Sequence, residues 1–364
     1  MGQKYPKGCM PMIKLNCGGT YYKNLIDYYK TFRLYSSIYK KNNEFVDIVD
    51  DPNGLPCVSI YSDPEEIKKI NSPLVFVDAV CEGENIVWKF LNFPKNKKYV
   101  LLTNSWINRK LYIIEQNYHH IQWNYSIEKF LMRNNRAHSL EFWQKKHYDL
   151  WIDKPCLFCC LIGTKKHSRD FFVQNILSNC QHMSFYLNYA GQQLALESRQ
   201  YDITYDFSDY DTYRSLNDHE YYDIGHTIPI SLYNQCRFNL VVESIIDDVT
   251  QGFHLTEKTL KPILSGMPFV LMSGPKYLEK LKSLGYKTFD TLWDESYDQI
   301  DSFEDRVSAI IKLLKFLNNQ FDWTNNLSRI EQIVNHNKMN FMYNTSIFEK
   351  QIVDFAGIIR EACA

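Results

Sequence analysis

The sequence predicts an α/β protein made of two Rossmann-like domains, and three observations carry that prediction. At 364 residues the chain is longer than one hydrophobic core usually organises, so two domains are expected. Continuous apolar runs that read as buried strands alternate with short helical patterns, the rhythm of parallel sheets. Near residue 150 the rhythm breaks and restarts with a strand, a basic loop and a helix. The expected domains are therefore 1–150 and 151–345, with a closing helix over 346–364.

The elements follow in order. Pro73 to Asp78 is a buried strand, because β-branched and aromatic residues run unbroken to a polar end. Ile86 to Phe93 reads as a short helix, Tyr99 to Asn104 and Leu111 to Glu115 as strands, and Ser126 to Arg136 as a helix with a Ser start and a basic end. The second domain opens on the strand Pro155 to Gly163, the loop Thr164 to Arg169 and a helix from Asp170 to about Leu177. Tyr201 to Asp223, rich in Asp and Tyr and without period, is a loop or excursion. A helix then ends over Leu232 to Cys236, and Phe238 to Glu243 is a strand. Thr256 to Leu264 is a helix, Pro268 to Met272 a strand, and Tyr277 to Leu284 a helix closed by Gly285. Phe303 to Asn318 is a long amphipathic helix, and Ser346 to Glu361 a further helix that could pack on either domain.

Composition narrows the class. Hydrophobic residues at 45% and charged residues at 23% are ordinary for a globular protein. A net charge of −1 carries no overall signature of a nucleic-acid binder. Met1 to Lys14 lacks a continuous apolar core, so no signal peptide is expected. The longest apolar run, Cys156 to Ile162, is too short to span a bilayer. Ten cysteines without secretory targeting point to reduced thiols and a cytoplasmic protein, bacterial or in the host cytoplasm for a viral one.

The block that carries chemistry runs from Arg237 to Pro268. A strand ends in Glu243 and Ser244, the loop Ile245 to Leu255 follows, and Thr256-Glu257-Lys258 opens a helix that closes on Gly266 before Pro268. A helix opening beside a strand end gathers unpaired backbone N–H groups and a positive dipole, which suits a diphosphate. Lys258 adds a full charge in that first turn, Thr256 is placed as N-cap, and Glu243 and Glu257 can accept from ribose or sugar hydroxyls. Taken alone, Thr-Glu-Lys is no more than a capped helix start; the preceding strand and the following Gly-x-Pro are what favour a site.

Over residues 232–275 this block resembles the donor-binding motif of the α1,3-fucosyltransferases and their relatives. There a Phe-x-Leu-x-x-Glu strand leads into Thr-Glu-Lys, a helix and a Pro; Phe238, Leu240, Glu243, Ser244, Thr256, Glu257, Lys258 and Pro268 stand at the matching places. The resemblance implies a GT-B fold, two Rossmann-like domains facing a central cleft, and a glycosyltransferase (hexosyl- or pentosyltransferase) using a nucleotide-sugar donor. It implies that Glu243, Glu257 and Lys258 contact ribose and phosphates; no cofactor beyond the co-substrate, and no metal, is expected. Ser244 in place of the commoner Asn, and a longer loop, leave base and sugar unassigned.

Other candidates have weaker grounds. Lys166 and Arg169, in the first strand-to-helix turn of the second domain, are placed for phosphate, Arg169 best because a guanidinium grips phosphate in a fork. A base that deprotonates the acceptor hydroxyl is sought beyond first-domain strand ends, at Asp78 or Glu84, although a solvated loop carboxylate is the plainer reading of each. Asp209-x-Asp211 lacks the apolar strand that a metal motif needs. Cys156, Cys159 and Cys160 read as core, His119-His120 as surface or interface, and Trp88, Trp106 and Trp123 as core or rim. The acceptor is a glycan or, if the basic stretches Lys95 to Lys98 and Lys129 to Lys146 follow a backbone, a hydroxymethylated base in viral DNA. The competing reading is a non-catalytic nucleotide- or glycan-binding module that keeps the fold.

Overall fold

The computed structural model describes residues 12–16, 47–50, 53–59, 62–79, 92–103, 118–122, 148–150, 153–190, 192–193, 228–247, 253 and 255–343. The chain divides into two compact units, Met1–Glu128 with Thr345–Ala364, and Lys129–Asn344.

The first unit is built on a six-stranded, all-parallel sheet. Its strands are β1 (Met12–Asn16), β2 (Asp47–Asp50), β3 (Leu55–Ser59), β4 (Leu74–Ala79), β5 (Lys98–Thr103) and β6 (Tyr118–Gln122), in the order β2-β1-β3-β4-β5-β6. Strand order reverses between β1 and β3, which makes the sheet doubly wound. Val75, Phe76, Val77, Tyr99, Val100 and Leu101 are buried, as strands covered on both faces require. Helix α1 (Pro64–Lys69) is capped by Asp63, which accepts from Glu65 N at 2.9 Å, with Pro64 in its first turn. Lys97 is buried and donates to Ile70 O and Ser72 O at 2.8 and 3.1 Å, so this member of the Lys95–Lys98 stretch is engaged within the fold.

The second unit carries a five-stranded sheet of β7 (Cys156–Ile162), β8 (Phe185–Tyr189), β9 (Gln192–Gln193), β10 (Cys236–Val242) and β11 (Phe269–Met272). Their order is β11-β10-β7-β8-β9, parallel except for β9. Between and after the strands lie α2 (His167–Asn179), α3 (Ile230–Gln235), α4 (Glu257–Ser265), α5 (Tyr277–Ser283), α6 (Phe303–Asn319) and α7 (Trp323–Tyr343). Phe158 stacks on Phe185 at 4.7 Å and tilts against Phe238, which stacks on Trp323 from α7. Helix α4 ends on Gly266 at φ +78°, a left-handed cap that turns the chain straight into β11. Among the described residues no helix is long and apolar enough to cross a membrane.

The strands expected at Pro73, Tyr99, Pro155, Phe238 and Pro268 are present, as are the helices at Thr256, Tyr277 and Phe303. Cys156, Cys159 and Cys160 are buried free thiols in the core of β7. Helix α2 begins at His167 rather than at Asp170, so Arg169 lies inside its first turn. Strands β1, β2, β3, β6, β8 and β9 and helices α1 and α7 are additions to the sequence expectation. His119 is half-buried within β6. The elements expected at Leu111–Glu115, Ser126–Arg136, Tyr201–Asp223 and Ser346–Glu361, and nearly all of Ile86–Phe93, lie outside the described residues.

Candidate functional site

In the second unit, strand order reverses between β7 and β10. In doubly wound sheets the crevice outside the carboxyl ends of the strands at such a reversal is where ligands bind. Glu243 and Ser244 follow the end of β10, and Gly163 to Lys166 follow the end of β7. Helix α4 opens against the first of these, with Thr256 and Lys258 bonded to Glu243 and Ser244.

Glu243 organises this corner. Its carboxylate is 1% exposed and accepts four hydrogen bonds: Thr256 Oγ1 at 2.6 Å and Ser244 N at 3.3 Å on Oε2, Thr259 Oγ1 at 2.5 Å and Tyr277 OH at 2.8 Å on Oε1. A buried carboxylate is tolerated when its lone pairs are met in this way. Thr256 hands the tie onward as N-cap of α4, accepting from Lys258 N at 3.2 Å. Burial, then the charge of Glu243, pushes the Tyr277 hydroxyl well above its ordinary pKa. The expectation that Glu243 meets substrate hydroxyls thus encounters a carboxylate already occupied by protein donors.

Three cations come to the same place. Lys258 Nζ donates to Ser244 Oγ at 3.1 Å and pairs with Glu257 Oε1 at 2.7 Å. Burial opposes ionisation of Glu257, but the charge and hydrogen bond of Lys258, helped by Lys261, hold its carboxyl below the usual value. Lys166, exposed, donates to Ser244 O at 3.2 Å. Partial burial, with repulsion from Arg169 and Lys258 against the pull of Asp247, lowers its pKa. Arg169 is 3% exposed: Nη1 donates to Thr164 O at 3.1 Å and Thr164 Oγ1 at 2.5 Å, and Nη2 to Glu243 O at 3.0 Å. Its fork is therefore spent on the protein, whereas Lys165 and Lys166 of this loop are exposed, and Lys166 is the one bonded to Ser244.

The structure thus brings together seven sequence candidates: Lys166, Arg169, Glu243, Ser244, Thr256, Glu257 and Lys258. Asp78 stands at the carboxyl end of β4 in the first unit, in register with Ser59 and Leu102. Glu84, Asp209, Asp211, Trp88, Trp106 and Trp123 lie outside the described residues. Thr259 and Tyr277 were not legible as members of the site. Thr259 sits three residues into a capped helix, a position with a local signal, whereas Tyr277 arrives only through the tertiary approach of α5.

Chemically, two ammonium groups from two strand-to-helix connections meet on one serine, beside the N-terminus of a nine-residue helix. Such an arrangement is suited to an anion, whose arrival would relieve the repulsion between the lysines.

No protein-family model matches the chain, and no curated protein matches it. Among solved structures it is similar to an α1,3-fucosyltransferase at 14% identity, over 91% of this chain and 84% of that one, with a TM-score of 0.39. It is similar to an α1,3-fucosyltransferase solved with GDP-fucose at 13% identity, over 98% and 93%, with a TM-score of 0.42. A third, solved with GDP, shares 12% identity over 94% and 93%, with a TM-score of 0.35.

Proposed function

We propose that this chain is a glycosyltransferase that binds a nucleotide-sugar in its second unit and transfers the sugar to a hydroxyl acceptor. The observation that carries the reading is the convergence of Lys166 and Lys258 on Ser244, at the strand-order reversal and the opening of α4. In this reading the two lysines and the α4 N-terminus hold the diphosphate and stabilise the charge it gains as the sugar leaves. Glu257 accepts from a ribose hydroxyl. Glu243 and Arg169 act from behind, one fixing the Thr256 cap and the other the strand end. The general base is a first-unit carboxylate, Asp78 or Glu84, which takes the acceptor proton as that oxygen attacks the anomeric carbon. We favour a glycan hydroxyl over a hydroxymethylated DNA base, because Lys97, within one of the two basic stretches, is buried on Ile70 and Ser72 carbonyls.

The test is thermal stabilisation against UDP, GDP, ADP, CMP and dTDP sugars, with Lys258→Ala alongside. A ligand at a hundred times its Kd adds about 2.7 kcal/mol, and the expected result is one nucleotide class that shifts wild type and not the variant. No shift with any of them removes the reading. Slow hydrolysis of the stabilising donor is expected of a transferase, and its absence would leave a binding module in its place.

A further inference from the structure

The turn after β10 is held more heavily than its length asks. Four successive carbonyls along it each accept a hydrogen bond: Glu243 O from Arg169 Nη2 at 3.0 Å, Ser244 O from Lys166 Nζ at 3.2 Å, Ile245 O from Gly274 N at 3.1 Å, and Ile246 O from Arg306 Nη2 at 2.6 Å. The donors come from three parts of the unit, namely the entry of α2, the loop after β11 and the first turn of α6.

Arg306 is the unexpected member. It is 1% exposed on the face of α6 that also buries Ile310, Leu313 and Leu317, where the helical stripe asks for another aliphatic side chain. Its remaining bonds run from Nη1 to Ile300 O at 2.5 Å and Asp301 O at 3.3 Å, and its Nε is buried without a hydrogen-bond partner among the described residues. Arginine is rarely this deeply buried without a directly paired carboxylate, because desolvating the charge is costly. Burial does lower its pKa, against the longer-range pull of Asp298, Asp301, Asp247 and Glu304. These bonds of the guanidinium all go to backbone carbonyls, and they join the segment before α6 to the turn that carries Ser244.

We propose that Arg306 is a positioning residue for the phosphate site: by holding Ile246 O it sets the path of residues 243–247, and with it the Ser244 groups on which Lys166 and Lys258 converge. The inference rests on the nucleotide-sugar reading above. Arg306 itself touches no ligand. Its action runs through the turn, and Asp247, the next residue, lies close enough to draw on Lys166, Arg169 and Arg306 together.

The experiment titrates inorganic pyrophosphate into wild type, Arg306→Lys, Lys166→Ala and the double variant by calorimetry at low salt, with a melting curve for each. Lysine keeps the charge but replaces the fork with a single point donor. Wild type is expected to bind, Arg306→Lys to bind about tenfold more weakly, and the loss from Arg306→Lys to shrink to roughly threefold when Lys166 is already absent. An affinity within about twofold of wild type, even with a lower melting point, overturns the proposal, as does full additivity in the double variant. If wild type itself does not bind, the phosphate-site reading fails in that arm and the inference falls with it; binding by wild type with no effect of Arg306→Lys removes the inference alone. Should Arg306→Lys not fold, hydrogen exchange on wild type decides. Pyrophosphate should slow exchange both in the peptide carrying 243–247 and in the one carrying 300–306, and protection confined to 243–247 overturns the proposal.

Discussion

Tyr277→Phe isolates what the buried Glu243 carboxylate does for the fold. The hydroxyl donates to Glu243 Oε1 at 2.8 Å and lies 3.2 Å from Thr259 Oγ1, while the ring packs against Phe253 at 4.6 Å. Phenylalanine keeps the ring and leaves the carboxylate three donors, from Thr259, Thr256 and the Ser244 backbone. A hydrogen bond to a charged group contributes about 1.5–3 kcal/mol, so a loss of about 2 kcal/mol is expected. For a unit spanning 129–344 that lowers the melting temperature by roughly 4–8 °C. In a Glu243→Gln background the lost bond is a neutral one, worth about 1 kcal/mol, so a double-mutant cycle followed by urea denaturation should show a coupling of about 1 kcal/mol. Nucleotide affinity should stay within about twofold for Tyr277→Phe, since the Thr256 cap survives. Thr256→Val removes cap and tie together and should weaken nucleotide binding. Additive Tyr277 and Glu243 substitutions, or a Tyr277→Phe protein as stable as wild type, would refute the role assigned to this carboxylate.

Other consequences follow from charge and backbone. Lys166 has a lowered pKa; if it holds phosphate as proposed it does so only when protonated, so affinity for nucleotide should fall as pH rises, beginning below the ordinary lysine value of about 10.5. Lys166→Arg should remove that alkaline fall, and an unchanged pH profile would exclude Lys166 from the site. Burial pushes Glu295 from 4.5 up to about 7, opposed by Thr288, the Phe289 N–H and Lys282. The folded state then holds its proton more tightly than the unfolded state, so stability falls as pH rises through that window. At ~1.36 kcal/mol per pH unit the loss is roughly 3 kcal/mol, and Glu295→Gln should flatten it; parallel stability curves for the two proteins between pH 5 and 8 would sink this. Gly266→Ala meets open space at its Cβ but must adopt φ +78°, so it should cost about 1–2 kcal/mol by denaturant titration.

Much of the fold was legible because parallel strands buried on both faces leave unbroken apolar runs. Leu74-Val-Phe-Val and Phe238-Asn-Leu-Val-Val carry that signal directly. The strands that escaped are short and interrupted by polar residues or Pro, as in Met12–Asn16, Asp47–Asp50 and Leu55–Ser59, where four or five residues give no period. Phe185–Tyr189 is an aromatic strand in a chain with 26 Tyr and 22 Phe, where an aromatic run carries less weight than usual. Helix α7 buries Trp323, Ile330, Ile333, Val334 and Phe341, but Asn, Ser and His between them dilute the stripe. Its place in the fold comes from Trp323, which stacks on Phe238 and donates its indole N–H to Leu317 O.

At the site, residue types and spacing predicted the cap and the cations but not which cation faces outward. A helix opening at Asp170 leaves Arg169 in the loop with its fork free. The helix opens at His167 instead, which draws Arg169 into the first turn and against the strand end, and leaves Lys166 outside as the exposed N-cap residue. Helix boundaries are the weakest product of pattern reading, and three residues amount to most of a helical turn. That displacement is enough to turn a guanidinium expected in the loop into a brace on the Thr164 and Glu243 carbonyls. The sequence did contain a warning of the same kind at Arg306, a guanidinium in line with Ile310, Leu313 and Leu317 on an otherwise apolar stripe. An arginine facing a core must find acceptors there, and in this unit both Arg169 and Arg306 find them in the carbonyls of one turn. A charged residue that breaks an apolar stripe therefore deserves to be read as a search for buried acceptors, and the loop that supplies them as a segment whose path the fold has reason to hold.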